Sequence, residues 1–235
     1  DPQGEEPSRA TNLPVFVSAN PRRDLGLAAA LIYGTNQTSM TTFGVTGTNG
    51  KTSVAYLLDA LLRHVGATTG LSSTSERIVA GSAYPSGLTT PEADEIHALL
   101  SLMLEADVSH AVLEVSAHAL TRQRVSGVRF DVVGFTNFSH DHLDDYATME
   151  DYFLAKADLF DSTRARRGVI CVDDVWGRRL AEEADIPVVT VASATSGDAV
   201  SADWRVGVSA TTVSSTSFVL EAPDALLQRA ERATT

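Results

Sequence analysis

The chain is poor in cysteine, in basic residues and in long apolar runs. Its single cysteine, Cys171, excludes an internal disulfide, and the surrounding run GVICV predicts a buried thiol in a reducing compartment, so we expect a cytoplasmic protein. The 18 basic residues are outnumbered by 30 acidic ones, and a net charge of -12 argues against nucleic acid as a partner, because nucleic acid binds a basic face. The longest apolar stretch, LGLAAALIYG at residues 25–34, is shorter than the roughly 20 residues of a membrane span, so we expect no membrane insertion.

The composition that remains is typical of a globular protein that binds a small ligand or another protein. The 235 residues are 43% hydrophobic, which is enough to build a core. The chain opens with Asp1 and not with Met, and we expect this end to be a cut through a longer protein.

The first half of the chain predicts one βα pair followed by a strand, a glycine loop and a helix. PVFVS (14–18) indicates a strand and residues 22–34 a helix that ends at Gly34. TTFGVTG (41–47) indicates a buried strand, and a helix follows from Lys51 to about His64 and is closed by Gly66. The apolar residues of that helix keep helical spacing; they are Val54, Leu57, Leu58, Leu61, Leu62 and Val65.

The second half predicts further helices and strands in alternation. In LTTPEADEIHALLSLMLEA, Thr90 is the expected N-cap and Pro91 the first helical residue, and the expected buried stripe is Ile96, Leu99, Leu100, Met103 and Leu104. Continuous apolar runs at 110–116, 132–139, 168–174 and 188–193 are typical of parallel strands covered on both faces. We therefore predict an α/β fold with a mainly parallel, doubly wound sheet, with antiparallel β structure at an edge from about Ala194.

The loop in FGVTGTNGKTS (43–53) is the main candidate for an anion site. After a strand and before a helix, the backbone of Gly47, Thr48, Asn49 and Gly50 can cradle phosphates, Lys51 can reach the outer phosphates and the Thr52 hydroxyl can ligate magnesium. The strict P-loop spacing is not met, because five residues separate Gly44 from Gly50 and two separate Gly47 from Gly50. The alternative is a tight glycine turn beside a surface lysine.

Acidic and imidazole side chains follow two of the predicted strands. Glu114 ends the strand AVLEV, where a carboxylate faces the usual ligand crevice of such folds and can anchor magnesium, although many glutamates at strand ends are simply solvated or capping residues. The segment SHDHLDD (139–145) contains His140, Asp141, His142, Asp144 and Asp145. It can bind a divalent cation, or it can be an ordinary polar loop.

Lys156 is placed on the apolar side of a helix. That helix starts near Thr148, with Thr148 and Asp151 as a capping pair, and the residues three or four positions from Lys156 are apolar, namely Tyr152, Phe153, Leu159 and Phe160. An ammonium group there is costly unless it is paired. The alternative is that the side chain covers apolar surface and extends its charged end to water.

Several of these segments together resemble the Mur ligase family, the enzymes that add amino acids to UDP-N-acetylmuramoyl peptides during peptidoglycan synthesis. The segments are TGTNGKT, LTTPEA, LEVSAHAL with QRV, FTNFSHDHLDDY and DYFLAKADLF. Their order and spacing are most similar to the MurE type, and the resemblance runs from about residue 15 to about residue 205.

The resemblance implies a site that binds ATP and two magnesium ions. Thr52 and Glu114 are implied to hold one ion, and His142 and a carbamylated Lys156 the other; with Lys51 these form the implied catalytic set. UDP-MurNAc-dipeptide and an amino acid are the implied substrates, with contacts from Thr89, Thr90, Ser116, Arg122 and Arg124. The two threonines can equally be helix caps. Arg122 and Leu88 depart from the residues common at their positions in the MurE pattern.

The resemblance also implies a domain organisation. Residues 1–40 are expected to be the end of a UDP-binding N-terminal domain and residues 41–235 an incomplete central ATP-binding domain, with the C-terminal ligase domain absent. We therefore expect a monomer with little or no ligase activity on its own. Two alternatives share parts of the pattern: a ligase similar to folylpolyglutamate synthase or cyanophycin synthetase, and a nucleotide-binding module without catalysis.

Overall fold

A computed structural model describes residues 15–140, 145–193, 200–213 and 215–222. Within these ranges the α-helices are α1 Pro21–Ile32, α2 Lys51–His64, α3 Ala93–Glu105, α4 Ala117–Thr121, α5 Met149–Ala157 and α6 Val175–Glu183, and a 3₁₀ turn covers Asp158–Phe160. The strands are β1 Thr41–Thr46, β2 Thr69–Ser72, β3 Glu76–Val79, β4 Ser82–Pro85, β5 His110–Glu114, β6 Val132–Phe135, β7 Gly168–Cys171, β8 Val188–Ser193, β9 Trp204–Thr211 and β10 Thr216–Glu221.

The strands form one sheet in the order β10-β9-β8-β7-β6-β1-β5-β2-β3-β4. The neighbours from β9 to β2 run parallel, whereas β10 and the β3–β4 hairpin are antiparallel additions at the two edges. The prediction of a mainly parallel α/β sheet is confirmed. The antiparallel pair expected after Ala194 is β9 with β10, and β9 joins β8 in parallel.

Strand β1 lies at the point where the strand order changes direction. The chain leaves β1 through α2 and reaches β2 on one side, with β5 later filling the place between them, and β6 then lies on the other side of β1. Ligands of open α/β sheets bind beyond the carboxyl ends of the strands at such a switch point. The glycine loop follows β1 and therefore lies there.

The core has one part on each face of the sheet. In β5, Leu113 belongs to the larger cluster, which also contains the apolar side of α3, and its neighbour Val112 belongs to a smaller cluster under α2. Successive residues of a strand point to opposite faces, so this alternation shows that β5 is covered on both. Of the predicted α3 stripe, Ile96, Leu99, Leu100 and Met103 are buried and Leu104 is half-buried.

Helix α2 packs only part of its apolar stripe against the core: Leu58 and Leu62 contact the smaller cluster beside the buried Ala55. Ala55 and Asp59 are buried, whereas Leu57 and Leu61 are 65% and 63% exposed. The Oδ2 atom of Asp59 pairs with Arg63 one turn later, at 2.8 Å, whereas Oδ1 is buried and accepts no hydrogen bond from the described residues. Among the helices of the described ranges, none has the length and apolar character needed to cross a membrane.

Three local predictions are wrong. Residues 15–18 form no strand, and the side chains of Val15, Phe16 and Val17 are exposed. Helix α3 begins at Ala93 with Glu92 as its N-cap, because the hydroxyl of Thr90, the predicted cap, donates instead to the carbonyl of Glu114. Cys171 is half-buried and not fully enclosed, although burial still raises the pKa of its thiol.

Candidate active site

The glycine loop between β1 and α2 has a backbone shape that only glycine adopts easily. Gly47 has φ of 139° and Gly50 has φ of 84°, both in the region that L side chains avoid. A Cβ at Gly47 would also overlap the Thr136 hydroxyl, which comes from the end of the neighbouring strand β6. That hydroxyl donates to the Asn49 carbonyl at 2.6 Å, and the Asn137 side chain donates to the same carbonyl at 3.0 Å. The loop is therefore held in shape by the strand beside it.

The loop ends at the N-terminus of α2, where backbone N–H groups of the first turn have no partners within the helix. Gly50 is the N-cap and provides no side-chain cap, and the first turn contains no acidic residue. The Lys51 ammonium lies over the loop and donates to the carbonyls of Gly47 at 3.1 Å and Thr48 at 2.9 Å. A helix N-terminus without a side-chain cap, beside an ammonium, is suited to phosphate.

Lys156 is a buried charge of the site. Its side chain is 1% exposed, which shows that it does not extend to water. The ammonium donates to the Gly47 carbonyl at 2.9 Å and lies 4.3 Å from the centre of the Tyr152 ring. The predicted cap of α5 is confirmed, since the Thr148 hydroxyl accepts from the Asp151 N–H at 3.0 Å. The carbonyl of Gly47 thus accepts hydrogen bonds from both Lys51 and Lys156.

Glu114 ends β5, beside β1, and is 1% exposed. Its Oε2 accepts a hydrogen bond from the Thr74 hydroxyl at 2.8 Å. Its Oε1 is buried and accepts no hydrogen bond from the described part of the chain. A buried carboxylate oxygen without a donor is costly and is suited to a cation.

One cavity of about 510 Å³ joins the glycine loop to most of the predicted substrate residues. It is lined by Thr48, Asn49, Gly50, Lys51, Thr52, Thr74, Leu88, Thr89, Ser116, His118, Arg122 and Arg124. The predicted phosphate loop and four of the five predicted substrate residues therefore share a single space. The fifth, Thr90, is buried behind the cavity, where it donates to the Glu114 carbonyl and accepts from the Ser116 N–H.

The two arginines of the cavity differ in their surroundings. Arg124 is buried, and its guanidinium pairs with Glu92 at 2.7 Å and donates to the Thr90 carbonyl at 3.3 Å. Arg122 is exposed at the C-cap of α4. Ser116 is the N-cap of the same short helix, since its hydroxyl accepts from the Ala119 N–H at 3.1 Å.

Two residues of the cavity were missed by sequence analysis. Thr74 lies in a segment without regular spacing, so no pattern indicated that its hydroxyl reaches Glu114. His118 lies within the segment LEVSAHAL that carries the family resemblance, and this was the signal available for it. Its Nε2 is 2.9 Å from the Asp145 carboxylate, and its ring packs against Tyr146.

The predicted magnesium ligands are only partly covered by the structure. Thr52 lines the cavity, and Glu114 and Lys156 are placed as described above. His142, the remaining predicted ligand, lies outside the described residues. Within the described ranges, no group of three or more His, Cys, Asp or Glu side chains is arranged to hold a metal ion.

The sheet, the switch point and the glycine loop define an α/β domain of the P-loop class. The profile of the Mur ligase middle domain matches residues 45–228, and the chain therefore belongs to the Mur ligase family.

The curated relatives are longer than this chain. It is 54% identical over 223 residues to a UDP-N-acetylmuramyl-tripeptide synthetase of Leifsonia xyli subsp. xyli, an alignment that covers 95% of this chain and 43% of that protein. The chain thus spans less than half the length of this relative.

Solved structures share the fold. A UDP-N-acetylmuramoyl-L-alanyl-D-glutamate–2,6-diaminopimelate ligase superposes with a TM-score of 0.75 at 23% identity, covering 89% of this chain and 43% of that one. A Mycobacterium tuberculosis folylpolyglutamate synthase complexed with ADP and AMPPCP gives 0.63 at 19% identity, covering 86% and 51%.

Proposed function

We propose that this chain is the nucleotide-binding part of a cytoplasmic, ATP-dependent ligase of the MurE type. The ligase adds a third residue, diaminopimelate or lysine, to UDP-MurNAc-L-Ala-D-Glu during peptidoglycan synthesis. The observation that carries this proposal is the single cavity lined by both the glycine loop and the predicted substrate residues. The identity of 54% to a tripeptide synthetase supports it.

ATP is proposed to bind with its phosphates at the glycine loop. Backbone N–H groups at the start of α2 and the Lys51 ammonium neutralise phosphate charge, and the absence of a Cβ at Gly47 lets the loop pack against Thr136 at the end of β6. Arg122 and Arg124 lie across the cavity, where a guanidinium can bind the carboxylate or phosphate groups of a muropeptide.

Magnesium is proposed to bind at Thr52 and Glu114, with His142 and Lys156 holding a second ion. Glu114 Oε1, which accepts no hydrogen bond from the described residues, fits a cation. Bound magnesium would offset the repulsion between the phosphates and the substrate carboxylate.

Lys156 is proposed to carry a carbamate. The ammonium would first lose one proton, and the neutral amine would then form a bond to the carbon of carbon dioxide and lose a second proton, which replaces a buried cation by an anion able to bind a metal. The shared contact of Lys51 and Lys156 with Gly47 supports this, because two ammonium groups at one carbonyl repel each other. Intact mass measured at neutral pH on rapidly handled protein tests it, and an unmodified amine in crystals grown with nucleotide and magnesium would contradict it.

The proposed reaction has two steps. The carboxylate of the substrate attacks the γ-phosphorus of ATP, which forms an acyl phosphate and releases ADP. The amine of the incoming amino acid then attacks the acyl carbon, phosphate leaves, and the ammonium proton is lost to give the amide. Lys51 and the start of α2 contribute charge neutralisation and positioning to the first step.

The test uses a protein in which this domain is joined to the N-terminal and C-terminal domains that the family resemblance implies. ATP turnover is measured with and without UDP-MurNAc-L-Ala-D-Glu, and we expect stimulation by the muropeptide. Lys51→Ala is expected to abolish turnover while the circular dichroism spectrum stays unchanged. Near-normal turnover by this variant would remove the ATP assignment. Amide formation by the 235-residue chain alone would contradict our proposal that the other domains are required.

Folylpolyglutamate synthase activity is the second candidate, since a protein of that name shares the fold with a TM-score of 0.63. The same assay separates the two, because a folate substrate in place of the muropeptide would then stimulate turnover. If neither substrate stimulates ATP turnover, a nucleotide-binding module without catalysis is favoured.

A further inference from the structure

The Glu114 carboxylate is held by the described residues on one side only. Oε2 has a donor, the Thr74 hydroxyl at 2.8 Å, whereas Oε1 has none within the described ranges. Because the two oxygens belong to one rigid plane, fixing Oε2 also decides where Oε1 points. Thr74 therefore controls the orientation of the oxygen that is left for a cation.

The Thr74 hydroxyl also contacts Thr89, with the two oxygens 3.0 Å apart. A hydroxyl has a single proton, and an ionised carboxylate only accepts. Thr74 therefore gives its proton to Glu114 and accepts the proton of Thr89. The result is a chain of hydroxyls from Thr89 to Glu114, and both threonines line the cavity.

The turn that carries Thr74 does not depend on the Thr74 side chain. Between β2 and β3, the Ser73 hydroxyl accepts from the N–H groups of Ser75 and Glu76 and donates to the Glu76 carbonyl, at 3.0 to 3.2 Å. Ser73 is buried, whereas Thr74 is exposed. The Thr74 hydroxyl can therefore be removed without loss of the turn.

We propose that Thr74 is a positioning residue of the cation site: it orients Glu114 for the metal, and through Thr89 it connects the metal to the substrate side of the cavity. This inference rests on the proposed function. Substitution of a residue that orients a metal ligand by a hydrogen bond typically lowers metal affinity by about 10–100-fold. A role in metal binding and not in phosphate binding distinguishes Thr74 from Lys51.

The test is the binding of Mn²⁺ to the 235-residue chain in the presence of ATP, followed by electron paramagnetic resonance. Thr74→Val keeps the shape of the side chain and removes the hydroxyl, and we expect Mn²⁺ affinity to fall about tenfold. ATP affinity without metal is expected to stay unchanged. Thr74→Ser keeps the hydroxyl and is expected to restore Mn²⁺ binding.

Thr163→Val is the matched control. Its hydroxyl also donates to a carboxylate, that of Asp161, but in the turn before β7 and outside the residues that line the cavity. We expect this variant to bind Mn²⁺ as the unmodified chain does.

The outcomes separate the two proposals. Equal Mn²⁺ affinity of Thr74→Val and the unmodified chain would overturn the role of Thr74 and leave the proposed function intact. Failure of Thr74→Ser to restore binding would also overturn it. If the unmodified chain binds neither ATP nor Mn²⁺, the proposed nucleotide site itself fails, and this inference fails with it. A crystal structure of Thr74→Val with Glu114 in an unchanged orientation would contradict the positioning role independently of binding.

Discussion

At the scale of single residues, Gly47 connects the parts of the candidate site. Its carbonyl accepts from Lys51 in α2 and from Lys156 in α5, two residues that are far apart in the chain. Its α-carbon faces the end of β6 so closely that a side chain would overlap Thr136. The loop therefore depends on a residue without a Cβ, both for its φ angle and for the contact with the neighbouring strand.

We predict that Gly47→Ala loses nucleotide affinity by at least about tenfold, because the loop must move away from β6 to make room and then loses the hydrogen bonds from Thr136 and Asn137 that hold its shape. Isothermal titration with ATP and magnesium measures this. The control is Gly81→Ala in the β3–β4 turn, where φ is 86° but an added Cβ contacts nothing within 4 Å. That variant is expected to lose about 1 kcal/mol of stability from backbone strain and to keep its nucleotide affinity. Equal affinities of both variants would contradict this view of the loop.

At the scale of elements, His97 joins three segments behind the site. It lies in α3 and is buried, its Nε2 donates to the Ser126 carbonyl at 2.9 Å, and its Nδ1 accepts from the Thr35 hydroxyl at 2.6 Å. The carbonyl only accepts, which assigns the proton to Nε2. The contacts tie α3 both to the turn after α1 and to the turn that precedes β6.

We predict that His97 makes the protein less stable in mild acid. Burial lowers the pKa of His97 in the folded state, so the unfolded chain binds the proton more readily. The contribution of the neutral imidazole is present in full above the unfolded pKa of about 6.5, and it is lost progressively as the pH falls from that value through the lowered pKa of the folded state. The free energy of unfolding, measured with urea from pH 7.5 to pH 5, is expected to decline less steeply for His97→Gln than for the unmodified chain. Parallel curves would contradict this prediction.

At the scale of the whole molecule, the sheet order brings together residues from distant parts of the chain. The ends of β1, β5 and β6 are neighbours, and they supply the glycine loop, Glu114 and the Thr136–Asn137 support. Helix α5 adds Lys156 from a fourth position. A ligand at this edge contacts several elements at once and should stabilise all of them.

We predict that ATP with magnesium raises the melting temperature of the 235-residue chain. A ligand at 100 times its dissociation constant stabilises the folded state by about 2.7 kcal/mol. For a domain of this size, that corresponds to a shift of roughly 5–10 °C. Differential scanning calorimetry measures the shift, and Lys51→Ala is expected to reduce it strongly. A shift of the same size in that variant would place the nucleotide elsewhere.

Much of the fold can be predicted from local pattern. Continuous apolar runs coincide with the strands β1, β5, β6, β7 and β8. Helix α2 ends just before Gly66, and helix α5 begins just after its N-cap Thr148. Short strands with mixed composition, β2 to β4, have no such pattern. The apolar residues of α2 keep helical spacing but do not all face the core, because the sheet contacts the side that contains Ala55.

The sequence by itself determined the strands of the parallel sheet and the glycine loop, because each depends on spacing within a short segment, and its resemblance to the Mur ligase family supplied the choice of metal and substrate residues. Only the tertiary structure decided which partners those residues meet. The hydroxyl of Thr90 donates to the Glu114 carbonyl and does not cap α3 as expected. The Lys156 ammonium is buried and donates to the glycine loop, and the Thr74 hydroxyl donates to a carboxylate 40 residues away in the chain. Hydrogen bonds of this kind join segments that are adjacent only in the folded molecule, and no local pattern encodes that adjacency.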